Sequence, residues 1–276
     1  MQKNQALIRE VLLFEPAHNS FMKDFISQQI EEVMAGHPSS VSGKVLWKSP
    51  LIGYASAADP LFEHLKQTAH QGHLLPTDLL EGARTVIAYF LPFAESIVTS
   101  NASGEFPSTQ WAYAYGQTNE LITLINKGLE SLLHIKGYRA CTIAATHNFD
   151  PISLMSAWSH RHVAYIAGLG TFGLNRMLIT DKGCAGRFGS IVTELELAPD
   201  ERIRGEHCLY LHNGPCSACL DKCPCSALQK DNFNRQQCYG RLLENEARLH
   251  LEGHADVCGK CCCGLPCSVK NPVTMK

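Results

Sequence analysis

The stretch His207-Cys-Leu-Tyr-Leu-His-Asn-Gly-Pro-Cys-Ser-Ala-Cys-Leu-Asp-Lys-Cys-Pro224 contains the order Cys216-x2-Cys219-x3-Cys223-Pro224. That order matches the last three cysteines and the proline of the bacterial ferredoxin run. A C-x2-C turn aims two thiolates at one iron–sulfur cluster. The cysteine before proline opens a new element and serves a partner cluster. The position three residues before Cys216, where the run normally has its first cysteine, is Asn213, and Cys208 is the nearest upstream replacement. A second run follows as Cys258-Gly-Lys-Cys-Cys-Cys-Gly-Leu-Pro-Cys267, with the lone Cys238 between the two. Eight thiols then close the count for two [4Fe–4S] clusters. One set is Cys216, Cys219, Cys267 and Cys208; the other is Cys223, Cys238, Cys258 and Cys261. Cys225, Cys262 and Cys263 are spare or alternates. Two four-cysteine zinc sites would also use C-x2-C. The Cys-Pro ending and the crossed pairing favour iron–sulfur, and the radical-enzyme order C-x3-C-x2-C is absent in the forward direction.

Working outward, eleven of the thirteen cysteines fall between Cys208 and Cys267, and only Cys141 and Cys184 precede them. This shift in composition sets a domain boundary, with residues 1–200 as one domain and 201–276 as a small second one. Thiols in such number, in a chain read as cytoplasmic, point to metal rather than disulfides. The N-terminal MQKNQALIREVLLFEPAHN makes a poor signal peptide. No apolar run reaches the roughly 18 residues of a membrane span. Net charge is -2 and the isoelectric point is about 6.7, without the basic footprint of a nucleic-acid binder.

The first domain alternates helical and strand patterns. Asn19-Ser20 reads as a helix cap before Phe21, Phe25, Ile26, Ile30 and Val33 at helical spacing. Residues 61–70 read as a short helix, and 84–91 as a buried strand between Gly82 and Pro92. Residues 94–109 read as a loop, 121–135 as an amphipathic helix stopped by Gly137, and 139–145 and 190–197 as strands. Gly168, Gly170 and Gly173 sit between apolar stretches, where glycine serves either a tight turn or a close approach to a ligand. The class is α/β or α+β.

At this point the chain resembles the epoxyqueuosine reductase family, cobalamin-dependent iron–sulfur enzymes of tRNA queuosine synthesis that are distantly similar to reductive dehalogenases. The resemblance covers about residues 75–270. Leu80-Glu-Gly-Ala-Arg-Thr-Val-Ile87 is similar to "PGARSVI" and Tyr113-Ala-Tyr-Gly116 to "RYAWG". Ala167-Gly-Leu-Gly-Thr-Phe-Gly-Leu-Asn175 is similar to "AGLGWIGKN", and Phe188-Gly-Ser-Ile-Val-Thr-Glu-Leu195 to "LGEIxTDL". Cys238 stands where the family has a lone cluster ligand. The resemblance implies an α+β protein: a nitroreductase-like α/β domain that binds a corrinoid, then a small ferredoxin-like domain with two clusters. It also implies that Tyr113, Tyr115, Gly168, Leu169, Gly170, Gly173, Asn175 and Gly189 contact cobalamin.

The chain departs from the family in three places. The family's proton-donating aspartate aligns near Ser153-Leu154, and Asp150 is the nearest carboxylate. Asp150, His147, His160 or His162 would then supply the acid, while Asp150-Pro151 also reads as a turn. The family's lysine, tryptophan and arginine are replaced by Leu174, Thr171 and Ala112, which implies a less positive cofactor pocket. The sequence ends at Lys276, where many members continue into a helical-repeat domain that helps hold tRNA. The expected function is an oxidoreductase taking electrons from an external donor through its clusters to cobalamin. Its expected substrate is a small molecule or a corrinoid on another protein rather than tRNA. A non-catalytic cobalamin or electron carrier is the alternative, and flavin in place of the corrinoid is a third reading.

Overall fold

The continuous apolar run Thr85–Pro92 is the centre of the sheet, and every one of its residues is buried. A strand covered on both faces loses the alternation of a half-exposed one, which is why its sequence is apolar throughout. Its neighbours are Leu51–Ser56 on one side and Gly186–Thr193 on the other, with Ala140–Thr142 pairing beyond Gly186–Thr193. All three pairings are antiparallel, and Ile87 faces Ile191 in register across the centre. In this computed structural model the described residues are 16–38, 40–41, 43–144, 148–249 and 255–273. The N-terminal signal-peptide reading lies largely outside them, as does His147.

Helices cover the sheet. The helix Pro16–Gly36 packs on the long helix Thr109–Ile135. The short helices Leu61–Thr68 and His160–Ile166 pack together, the second against the central strands. The helix expected to begin after Asn19-Ser20 already includes both residues, running Pro16–Gly36 among the described residues. The long helix starts twelve residues before the expected 121. Ser108 caps it, its hydroxyl accepting from the Trp111 N–H at 3.1 Å. Tyr113 and Tyr115 therefore lie on a helix. Residues 95–100, read as loop, are helical. The expected strand at 190–197 is shifted to Gly186–Thr193.

Sheet and cysteine segment share one apolar core. A continuous buried cluster runs from Met22, Ile87 and Trp111 to Cys208, Cys219, Cys263 and Leu265. The second cysteine run is pinned by two buried polar side chains. Asn101, fully buried, donates its amide to the Cys258 carbonyl at 2.8 Å. Lys260, 2 % exposed, donates to the carbonyls of Asn101 and Ser103 at 3.1 and 2.7 Å. Burying an ammonium is costly without such partners.

Candidate metal centre

Cys208 enters the site through a single helical turn. It caps the helix Leu209–Asn213, which Gly214 ends at φ 95°, and Pro215 then delivers Cys216. The Asn213 position is thus part of a turn that spaces Cys208 from Cys216. Cys219 follows on the short helix Ala218–Asp221. Cys208, Cys216, Cys219 and Cys267 line one recess, together with Leu174 and Leu265. The recess is open to solvent on one side and mostly apolar. The backbone N–H of Leu174 donates to the Cys208 sulfur at 3.5 Å. Burial, then the thiols of Cys267, Cys208 and Cys216, push Cys219 up to about 11. A lining of four thiols on an apolar floor fits the donor set of a [4Fe–4S] cluster.

The remaining thiols form a second neighbourhood. Cys238 rides on the helix Arg235–Leu249, whose start is capped by the Asn234 side chain accepting from Gln237 N–H at 3.0 Å. Arg241, 9 % exposed, stacks on Phe106 at 4.3 Å and pairs with Glu105, bracing this helix on the first domain. Asn245 donates to the Val257 carbonyl at 2.8 Å, which holds the helix over the second run. Burial, then Cys225, Cys258 and Cys223, push Cys238 up to about 12, with the Arg161 cation opposing. Cys261 is also pushed up, by burial and by Cys258, Cys238 and Cys223. Cys223 and Cys258, one from each run, thus act on both Cys238 and Cys261. Cys225 lies 3.9 Å from Cys223, sulfur to sulfur. Cys262 donates to the Gly259 carbonyl, and Cys263 accepts from Asn101. Among the described residues no three His, Cys, Asp or Glu side chains converge as a lone metal ion requires.

The residues assigned to cobalamin by resemblance have other neighbours. A Cβ on Gly168 would meet the Glu201 carbonyl oxygen at 2.5 Å, and on Gly170 that of Ile179 at 2.3 Å. Gly173 faces Ile179 and Gly189 the Tyr89 ring, while Leu169 is buried in the sheet-side core. Packing of the chain on itself is thus sufficient to require these glycines. Asn175 is buried and donates to the Cys261 carbonyl at 3.0 Å. Tyr113 and Tyr115 are half-buried, and the Arg187 guanidinium lies 4.1 Å over the Tyr115 ring. Tyr115 donates to Asp256 at 3.4 Å. Arg187, and Arg161 near Cys238, supply cations at this junction that the substituted family positions do not.

Asp150 closes a turn rather than an acid site. Its Oδ1 accepts from the Ser153 N–H at 2.7 Å, the Ser153 hydroxyl at 2.8 Å and the Ile152 N–H at 3.2 Å. These bonds, those from Ser153 foremost, hold its carboxyl below the usual range. A general acid benefits from the opposite shift, so these bonds favour the turn reading of Asp150. The loop leans on the Cys238 helix, where Gln236 donates to the Ile152 carbonyl at 3.1 Å. His160 is a core residue. Its Nε2 donates to the Ala144 carbonyl at 3.1 Å, and its Nδ1 accepts from Ser190, which in turn accepts from the Trp158 indole. Burial lowers His160 and His162 to about 4 each, so both are neutral near pH 7.

A depressed histidine makes stability depend on pH with a definite sign. Between about 6.5 and about 4 the unfolded chain binds a proton that folded His160 refuses, so stability is full above about 6.5 and falls as the pH drops to about 4. The depression corresponds to a loss on the order of 3 kcal/mol. Urea unfolding across this window is expected to show that slope, to which His162 adds in the same direction, and His160→Asn is expected to reduce it by about half. An unchanged slope would contradict a neutral core histidine.

Sequence reasoning did not single out Cys184, Asn101 or Lys260. Cys184 lies 4.0 Å from Cys267, sulfur to sulfur. Its isolation from the two runs was the only signal, and Asn101 had none.

No protein-family model matches the chain. The epoxyqueuosine reductase of Bacillus anthracis is 27% identical over 223 residues, covering 73% of this chain and 54% of that protein. The chain is thus similar in sequence to epoxyqueuosine reductases. It spans about half the length of the curated relatives it matches. Among solved structures, the epoxyqueuosine reductase of Streptococcus thermophilus superposes with a TM-score of 0.56 at 20% identity, over 92% of this chain and 68% of that one. A catabolic reductive dehalogenase superposes with a TM-score of 0.53 at 17% identity, over 81% of this chain and 30% of that one. The mixed helix-and-sheet fold is therefore shared by this family and the dehalogenases. No helix among the described residues is long and apolar enough to cross a membrane.

Proposed function

We propose that this epoxyqueuosine reductase-like protein is a cytoplasmic iron–sulfur oxidoreductase with two [4Fe–4S] clusters and a cobalamin. It takes electrons from an external donor and relays them toward the corrinoid. The observation that carries the reading is the recess lined by Cys208, Cys216, Cys219 and Cys267. The first cluster takes these four thiols, and the second takes Cys223, Cys238, Cys258 and Cys261. Residues 1–200 form a nitroreductase-like corrinoid domain and 201–276 a ferredoxin-like one. Bound cobalamin would supply strongly reducing cobalt. Support for it comes from the relatives and from Tyr113 and Tyr115 at the junction, not from the glycine stretch. The protein's own part is to bury the cluster ligands and to orient Cys258 through Asn101.

The substrate in this reading is a small molecule or a corrinoid on another protein, and not tRNA. The near-neutral charge and the ionised Asp150 support that choice. The same aspartate, with two neutral histidines, supports the second reading, a carrier that holds cobalamin or passes electrons without turning over a substrate. Adding cobalamin to the reduced protein is expected to shift the corrinoid spectrum, and epoxyqueuosine-containing tRNA is expected to remain unreduced. No spectral change would count against the corrinoid; turnover of the tRNA would overturn the substrate assignment.

A further inference from the structure

We propose that Cys184 is a non-ligand thiol that donates a hydrogen bond to the Cys267 sulfur and raises the reduction potential of the first cluster. The proposal rests on the two-cluster reading above. Its geometry comes from a seam between the sheet domain and the second cysteine run. The N–H of Cys184 donates to the Cys267 carbonyl at 2.9 Å, and that of Ala185 to the Ser268 carbonyl at 3.0 Å. Gly183 adopts φ +83°, and a Cβ there would meet the Ser268 carbonyl oxygen at 2.4 Å, so the close approach requires glycine. This lacing fixes the Cys184 side chain, which is fully buried, with its sulfur 4.0 Å from that of Cys267.

A second contact sets the direction of the bond. The Asn175 amide donates to the Cys184 sulfur at 3.6 Å and to the Cys261 carbonyl at 3.0 Å. An amide N–H can only donate, so the Cys184 sulfur accepts there and turns its own proton toward Cys267. The resulting order is Asn175 to Cys184 to Cys267, and it links the backbone of one thiol set to a ligand of the other. The recess walls are formed without Cys184, which separates it from the ligands. A reduced cluster carries one more negative charge, spread over its sulfurs, so a donor to those sulfurs is held more tightly after reduction. Hydrogen bonds to the sulfurs are among the features that set cluster potentials.

Stepwise reduction of the anaerobically purified full chain with dithionite, followed by electron paramagnetic resonance, reads each cluster separately. Cys184→Ala is expected to shift one cluster to a lower potential while the other stays put and the iron content is unchanged. Cys184→Ser keeps an O–H donor and is expected to stay near wild type. Cys184→Val, close in shape and without a donor, replaces the alanine variant if that one does not fold. Potentials that stay at the wild-type value in the donor-free variants would overturn the proposal, as would equal shifts in Ser and Ala. Loss of about four irons in Cys184→Ala would also overturn it, because Cys184 would then be a ligand. Wild-type protein lacking about eight irons would overturn the two-cluster reading and this proposal with it.

Discussion

Cys219→Ala is expected to lower the iron of anaerobically purified protein from about eight per chain to about four, and Cys258→Ala to remove the other four. The two residues sit in different thiol neighbourhoods. Cys219 is influenced by Cys267, Cys208 and Cys216, whereas Cys258 is influenced by Cys225 and Cys223. Losing one thiolate leaves an iron without its protein ligand in an open recess, and the cluster is expected to be lost. The spectra of the two variants are expected to be complementary, each retaining the signal that the other loses. The double variant is expected to retain almost no iron. If both single variants lose the same signal, the crossed assignment fails, even if each still loses half of the iron.

Gly259→Ala is expected to cause the second large loss, although residue 259 binds nothing. Gly259 holds φ +73°, and a Cβ there would lie 2.3 Å from the Trp111 indole ring. Left-handed backbone costs a non-glycine residue roughly 1–2 kcal/mol, and overpacking adds typically 1–3 kcal/mol. Trp111 cannot retreat easily, since its ring also meets Phe93 edge-on at 4.9 Å. The expected total is about 3 kcal/mol of stability, measured by urea unfolding. The strain lies between Cys258 and Cys261, so the second cluster is expected to be lost before the first. Gly240→Ala is the control. A Cβ at Gly240 meets nothing within 4 Å, and the residue lies inside the helix Arg235–Leu249. That variant is expected to be neutral or stabilised by up to about 1 kcal/mol.

The parts legible in the sequence were those whose signal is local. The strand Thr85–Pro92 could be read because a strand buried on both faces needs an unbroken apolar run. The cysteine sets were assigned from spacing, because cluster chemistry dictates both ligand type and spacing, and four of those thiols line one recess. The first half of the long helix could not, because Tyr113, Tyr115, Gly116 and Gln117 give no helical stripe until tertiary packing covers Trp111 and Ala114. The helical turn at 95–100 was hidden by the polar, glycine-bearing stretch that follows it. The glycines at 168 and 170 were ambiguous in the sequence, since a ligand and a neighbouring carbonyl impose the same demand on them. Contacts across long separations left no local trace. Asn101 meets Cys258 across 157 residues, and Cys184 meets Cys267 across 83.

The central claim is that these thiols hold two [4Fe–4S] clusters, and metal analysis tests it most directly. The full chain is purified without oxygen, and iron, acid-labile sulfide, zinc and cobalt are counted per chain. The account predicts about eight irons and about eight sulfides, with little zinc. Stoichiometric zinc without iron would contradict it.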